Sequence, residues 1–87
     1  MDKLTRAELD YRILKCDYEV KRANIWFNTD WETVTGKQKP TEKDKQYHID
    51  RLLSDLKVKV QKARVHYHGL LRERELELTL LKNKGAE

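Results

Sequence analysis

The chain has little that could staple, break or turn a backbone: one cysteine, one proline, three glycines and one phenylalanine in 87 residues. The single thiol, Cys16, cannot close an internal disulfide, which excludes a disulfide-stapled secreted scaffold. No stretch approaches the ~20 apolar residues of a membrane span, and no basic start followed by an apolar run marks a secretory leader. A soluble, cytoplasmic protein with no membrane partner is expected. No serine or cysteine has a base at a helical neighbour spacing, no glycine-rich phosphate loop follows a strand, and the chain is too short to wall off a pocket. Neither enzymatic activity nor a cofactor is expected.

Metal chemistry is excluded by spacing. His66 and His68 are two apart, so on a helix they point roughly 160° away from each other and cannot chelate one ion. His48 shares a face with Asp44, a pair that reads as a surface contact. Cys16 falls on an apolar row, where a small buried thiol is expected.

What is present is charge and helical periodicity. Charged residues make up 39% and apolar residues 38%, a balance of surface-rich helices rather than sheets, so the fold class is all-α. From Thr41 to about Lys82 apolar residues recur at Ile49, Leu52, Leu53, Leu56, Val60, Ala63, Tyr67, Leu70, Leu71, Leu78 and Leu81, the stripe of one long helix. A first helix over about residues 3–27 carries two rows. Leu4, Ala7, Tyr11, Leu14, Tyr18 and Ile25 form one, and Leu9, Ile13, Cys16, Val20, Ala23 and Phe27 form the other, on nearly the opposite side. One row serves a hairpin partner and the other needs a second partner.

Between the helices, residues 28–40 form a capped turn and loop. Thr29 with Glu32 matches a capping box for a short helix over 30–34, Gly36 suits the left-handed residue that ends it, and Thr41 with Asp44 repeats the cap at the long helix. The expected topology is a single-domain antiparallel helical hairpin, coiled-coil-like. Because the first helix is the shorter, it should pair with the second only to about His66. This leaves a leucine overhang at Leu70, Leu71, Leu76, Leu78, Leu80 and Leu81. Six solvated leucines represent on the order of 10 kcal/mol as an upper bound, which favours a homodimer with a four-helix-bundle core. The expected oligomer or partner interface is Leu70, Leu71, Leu78, Leu81, Ile13 and Val20. Gly69, where the first helix should run out, is a candidate kink, and Asn83-Lys84-Gly85-Ala86-Glu87 should end the helix.

Two other groups stand out. Trp26 and Trp31 bracket the turn with Asn28 and Asp30, as hairpin anchors in preference to partner hot spots. The net charge is +4, and the excess sits on Lys57, Lys59, Lys62 and Arg64, in a run with no acidic residue from Leu56 to Leu71. These four are the candidate nucleic-acid contacts, enough for weak, salt-dependent binding; a solvated helix flank is the alternative.

The run Lys21-Arg22-Ala23-Asn24-Ile25-Trp26-Phe27-Asn28-Thr29-Asp30-Trp31 resembles small early-region proteins of phages of Gram-positive bacteria. Those share an alanine-asparagine pair, a tryptophan, then asparagine-threonine-aspartate before an aromatic. The resemblance extends to Thr41, Glu42, Lys43 and Tyr47, at the start of a long helix ending in leucines. It implies a phage or prophage origin, a bacterial host cell, and action by binding a larger protein. The expectation is therefore a non-enzymatic, self-associating module that binds or inhibits a host factor, such as a defence or replication protein. The alternative is a nucleic-acid-binding accessory of phage replication or recombination.

Overall fold

The computed structural model describes residues 2–85, as side chains to residue 83. Four helices follow in order: α1 (Lys3–Asn28), α2 (Trp31–Thr35), α3 (Glu42–Leu52) and α4 (Ser54–Gly85). No strand occurs among the described residues. Ala86 and Glu87, at which the expected tail ends, lie outside them. The helix itself continues to Gly85.

Each start and stop has a local cause. Asp2 caps α1 by accepting from the Thr5 N–H at 2.7 Å. Asp30, rather than Thr29, caps α2: its carboxylate accepts from the Thr33 N–H at 3.4 Å and the Thr33 hydroxyl at 2.7 Å. Thr29 instead closes α1, its N–H donating to the Ile25 carbonyl at 3.2 Å. The expected Thr29–Glu32 box is thus displaced by one residue, because aspartate outcompetes the neighbouring threonine for the cap. Gly36 ends α2 at φ 71°, in the left-handed region. Thr41 and Asp44 form the expected capping box at α3, with reciprocal bonds of 3.0 and 3.2 Å.

The long second helix is not continuous. Leu53 departs to φ −106°, ψ 20°, and separates α3 from α4. Its flanks explain the position: Arg51 lies in the last turn of α3 and Asp55 in the first turn of α4, each the charge that a helix end of that polarity favours. The break is slight, since Leu53 N–H still donates to Ile49 and Lys57 N–H to Leu53, both at 2.8 Å. At Gly69, by contrast, helical structure is unbroken. A single glycine costs a helix only ~1 kcal/mol, too little to stop one already supported on either side.

The hairpin is antiparallel and pairs further than length alone suggests. The Tyr11 and Tyr67 rings stack at 6.0 Å, and Arg74 is among the charges acting on Asp2 at the start of α1. Pairing therefore extends beyond His66, at least through Tyr67. At the other end Trp26 of α1 meets Lys45, at the close of the first turn of α3. Leu70 and Leu71 are consequently half-buried instead of overhanging.

The result is a rod of 69 × 24 × 17 Å with a radius of gyration of 19.7 Å, against roughly 12 Å for a compact domain of this length. Its core is very small. Among the described residues only Ala7, Trp31 and Ile49 are buried apolar side chains. The chain exposes 7392 Å², about 2,000 Å² more than a folded monomer of its mass ordinarily does.

Candidate interaction surfaces

The tip of the hairpin is the most closely tied part of the molecule. Trp31, 8% exposed, donates its indole N–H to the Trp26 carbonyl at 2.8 Å. That carbonyl belongs to the last turn of α1, where carbonyls lack a helical partner, so the indole serves as a side-chain cap. Trp26 and His48 both meet the Trp31 ring edge-on, at 6.4 and 5.5 Å. The Lys45 ammonium sits 5.0 Å from the Trp26 ring and 5.8 Å from that of Trp31, and the Arg22 guanidinium is 5.1 Å from Trp26. Arg22 also donates two bonds to the Gln46 carbonyl oxygen, at 3.0 and 2.9 Å. Gln46 donates to Asp50 at 2.8 Å, and Lys57 reaches the same carboxylate at 3.3 Å. This chain of contacts ties α1, α3 and the start of α4 together.

Of the four expected turn residues, Trp31 and Asp30 hold the corner directly. Trp26 is half-buried beneath two cations, while Asn28 is exposed and bonds only back to Asn24. Arg22 stands four residues before Trp26 on α1, a same-face spacing that could have flagged it, whereas Lys45 comes from α3 and carries no such signal. His48 lies on Trp31 and not on Asp44, whose carboxylate is taken by Thr41 and by Lys37 at 3.1 Å.

Four carboxylates are held below their ordinary value. Asp2 is lowered by the Thr5 backbone bond, Asp30 by Thr33, Asp44 by the Thr41 backbone bond and then Lys37, and Asp50 by Gln46 and then Lys57. Three of the shifts come first from helix-capping bonds, and that of Asp50 from a bond within α3 and then one from Lys57 of α4. Among the described residues no three metal-ligating side chains stand together.

The six residues expected to form one interface separate into two surfaces. Ile13 and Val20 are 58% and 61% exposed; Val20 lies on the side of α1 opposite its half-buried row, and Ile13 also lines the flank of the α1–α4 groove with Ala63 and His66. With them in the same row are Leu9 at 44%, Phe27 at 81%, and exposed Cys16 and Ala23. Cys16 is a free, exposed thiol. The expectation of a buried one fails because burial requires a neighbour on this side, and α4 covers the opposite side. There Ala7 is buried and Leu4, Tyr11, Leu14, Tyr18 and Ile25 are half-buried.

Leu78 and Leu81 form the second surface. They continue the stripe by which α4 packs on α1, past the point where α1 begins, and are 57% and 65% exposed. Leu76 and Leu80 beside them are 57% and 66% exposed. Leu70 and Leu71 belong to the hairpin instead.

In the basic run, Lys57 is paired with Asp50. Among the described residues Lys59, Lys62 and Arg64 make no ion pair and are exposed. Arg64 lines a shallow groove between α1 and α4 with Lys15, Arg22, Tyr11, Tyr18 and Glu19.

No helix among the described residues is long and apolar enough to cross a membrane. Comparison with protein-family models, with curated proteins and with solved structures finds no match.

Proposed function

We propose that this chain is a non-enzymatic, self-associating helical hairpin of phage or prophage origin that works by binding another protein, a host factor whose activity it inhibits or redirects. The observation that carries this reading is uncovered apolar surface of helical regularity: a whole row on α1, and the leucines at the end of α4. The excess of about 2,000 Å² leaves room for two contacts, since a standard interface takes roughly 800 Å² from each partner. In this reading the α1 row joins two hairpins into a four-helix dimer, and the Leu76–Leu81 segment docks on the host protein. The Asn28-Thr29-Asp30 motif supports the phage origin by resemblance. Its chemistry here is that of a helix-to-helix corner, and the activity lies elsewhere.

Sedimentation velocity from 5 to 200 µM tests the self-association, with a concentration-dependent shift to a two-chain species expected; a monomer throughout rejects it. Affinity purification from a Gram-positive host, with L78E/L81E as the comparison, tests the docking segment. A host protein retained by the parent chain and lost by that variant is expected, while the variant's dimer remains intact.

A second reading, a nucleic-acid-binding accessory of phage replication or recombination, is favoured by exposed Lys59, Lys62 and Arg64. A gel shift at ~50 mM salt that weakens steeply as salt rises, and on K59A/K62A, would support it. No shift at that salt ends it.

A further inference from the structure

The geometry points to a parallel, in-register pairing of the uncovered α1 row with the same row of a second copy, giving a flat line of four helices with the two α1 helices at its centre. This rests on the self-association proposed above and specifies its form.

Leu9, Ile13, Cys16, Val20, Ala23 and Phe27 are spaced by alternate steps of four and three, the a/d repeat of a two-stranded coiled coil. Ile13, Val20 and Phe27 take a positions; Leu9, Cys16 and Ala23 take d. All six are exposed. At ~100° per residue this seam lies roughly 180° from the row that packs on α4. A square four-helix bundle asks each helix to meet two neighbours at roughly 90° to each other. Opposed rows instead place α4, α1, the second α1 and the second α4 in line.

Charge selects the direction. In a parallel pair each g residue faces the e residue five positions on in the other chain. Arg12 then faces Asp17 of the second copy, twice by symmetry, Glu19 faces Asn24, and Thr5 faces Asp10. No like charges meet. The antiparallel register that stacks Leu9 on Phe27, Ile13 on Ala23 and Cys16 on Val20 brings Asp17 against Asp17 and Glu19 against Glu19. Arg12 and Asp17 are available for the exchange. Their present bonds, to Glu8 at 2.5 Å and Lys21 at 3.2 Å, are surface pairs along the same helix, with the Arg12 side chain 73% exposed. β-branched Ile13 and Val20 at a also favour two parallel strands. One consequence is that both leucine ends leave the dimer at the same end, on its two outer helices, three interaxial spacings or roughly 24–30 Å apart.

Cys16 provides the test. With helix axes 8–10 Å apart and Cα atoms ~2.3 Å from each axis, the facing Cys16 Cα atoms of a parallel pair lie roughly 4–6 Å apart, within disulfide reach. In the antiparallel register they are displaced four residues along the axis and lie roughly 8 Å apart, beyond it. The reduced full-length chain is first sized by sedimentation velocity, then treated with diamide. Two thiols give up two protons and two electrons to diamide, which becomes its hydrazine, and one S–S bond forms. We expect a reduced dimer, disulfide formation at least tenfold faster than in V20E, and at least tenfold weaker association for I13E and for V20E, with helical circular dichroism unchanged. A dimer of the reduced chain that cross-links no faster than V20E overturns the parallel seam while leaving self-association standing. A monomer at all concentrations overturns both.

Discussion

The two ends of this hairpin are built on different principles. At the tip, Trp31 is buried, its indole caps α1, two cations cover the tryptophan rings, and a line of bonds from Arg22 to Lys57 joins three helices. At the other end the final leucines of α4 stand more than half exposed, with nothing among the described residues covering them. An end that is internally satisfied has no surplus to offer a partner, and one that is not satisfied must find a partner or tolerate water on its leucines. Packing is therefore concentrated at the tip and uncovered apolar surface at the opposite end, with the uncovered face of α1 running between them.

The comparison can be broken most directly by substitution at the two ends. Trp31→Ala should cost about 3–5 kcal/mol, from lost burial and from a Trp26 carbonyl left without its donor. Leu81→Ala, a similarly apolar deletion at the other end, should stay within about 0.5 kcal/mol in the monomer because little is buried there. Urea denaturation of both variants measures the contrast. Equal losses would mean that the leucine end is packed after all. The glycines give a smaller, sharper version. Gly36 has φ 71° and open space around a built Cβ, so Gly36→Ala meets no clash and pays the left-handed backbone penalty alone, about 1–2 kcal/mol. Gly69 lies in α4 with equally open space, so Gly69→Ala should stabilise by up to about 1 kcal/mol. Opposite signs of the shift in melting temperature are expected; a loss at Gly69 would show that its flexibility is used.

Local signals in the sequence were read well where one side chain meets one nearby backbone group. Gly36, the Thr41–Asp44 box and the two opposed rows of α1 all depend on spacings of a few residues, and the coordinates place them as expected. The cap displaced to Asp30 reflects two adjacent candidates competing, while the break at Leu53 divides the expected single helix between Arg51 and Asp55. Register is another matter. Which part of α4 lies against Tyr11 depends on how α2 fills the corner and on Trp26 meeting Lys45, neither of which periodicity encodes. The overhang therefore begins beyond Leu71, with Leu70 and Leu71 half-buried, and Cys16 is exposed rather than interior. What would cover the α1 row is illegible for a simpler reason: exposed apolar residues at helical spacing carry no mark of the group that would cover them.

The smallest effect, and the one that sharpens the comparison most, is that of acid. Asp30, Asp44 and Asp50 belong to the tip and its bond line, while Asp2 alone of the four lowered carboxylates lies toward the leucine end. A carboxylate whose folded-state pKa is lowered stabilises the fold at pH values above its unfolded value, near 3.8 for these groups. That contribution is lost as pH falls toward and through the lower, folded-state value. The tip should loosen first, before the paired shafts of α1 and α4, whose packing is apolar. Both tryptophans lie at the tip, so between about pH 5 and pH 2.5 their emission should shift to the red ahead of any loss of ellipticity at 222 nm. Asp30→Asn retains a capping oxygen and removes one titration, so it should shift the emission change to lower pH without altering the spectrum at pH 7. Simultaneous loss of both signals would mean that the rod unfolds as one cooperative unit, with its tip no different in acid from its shaft.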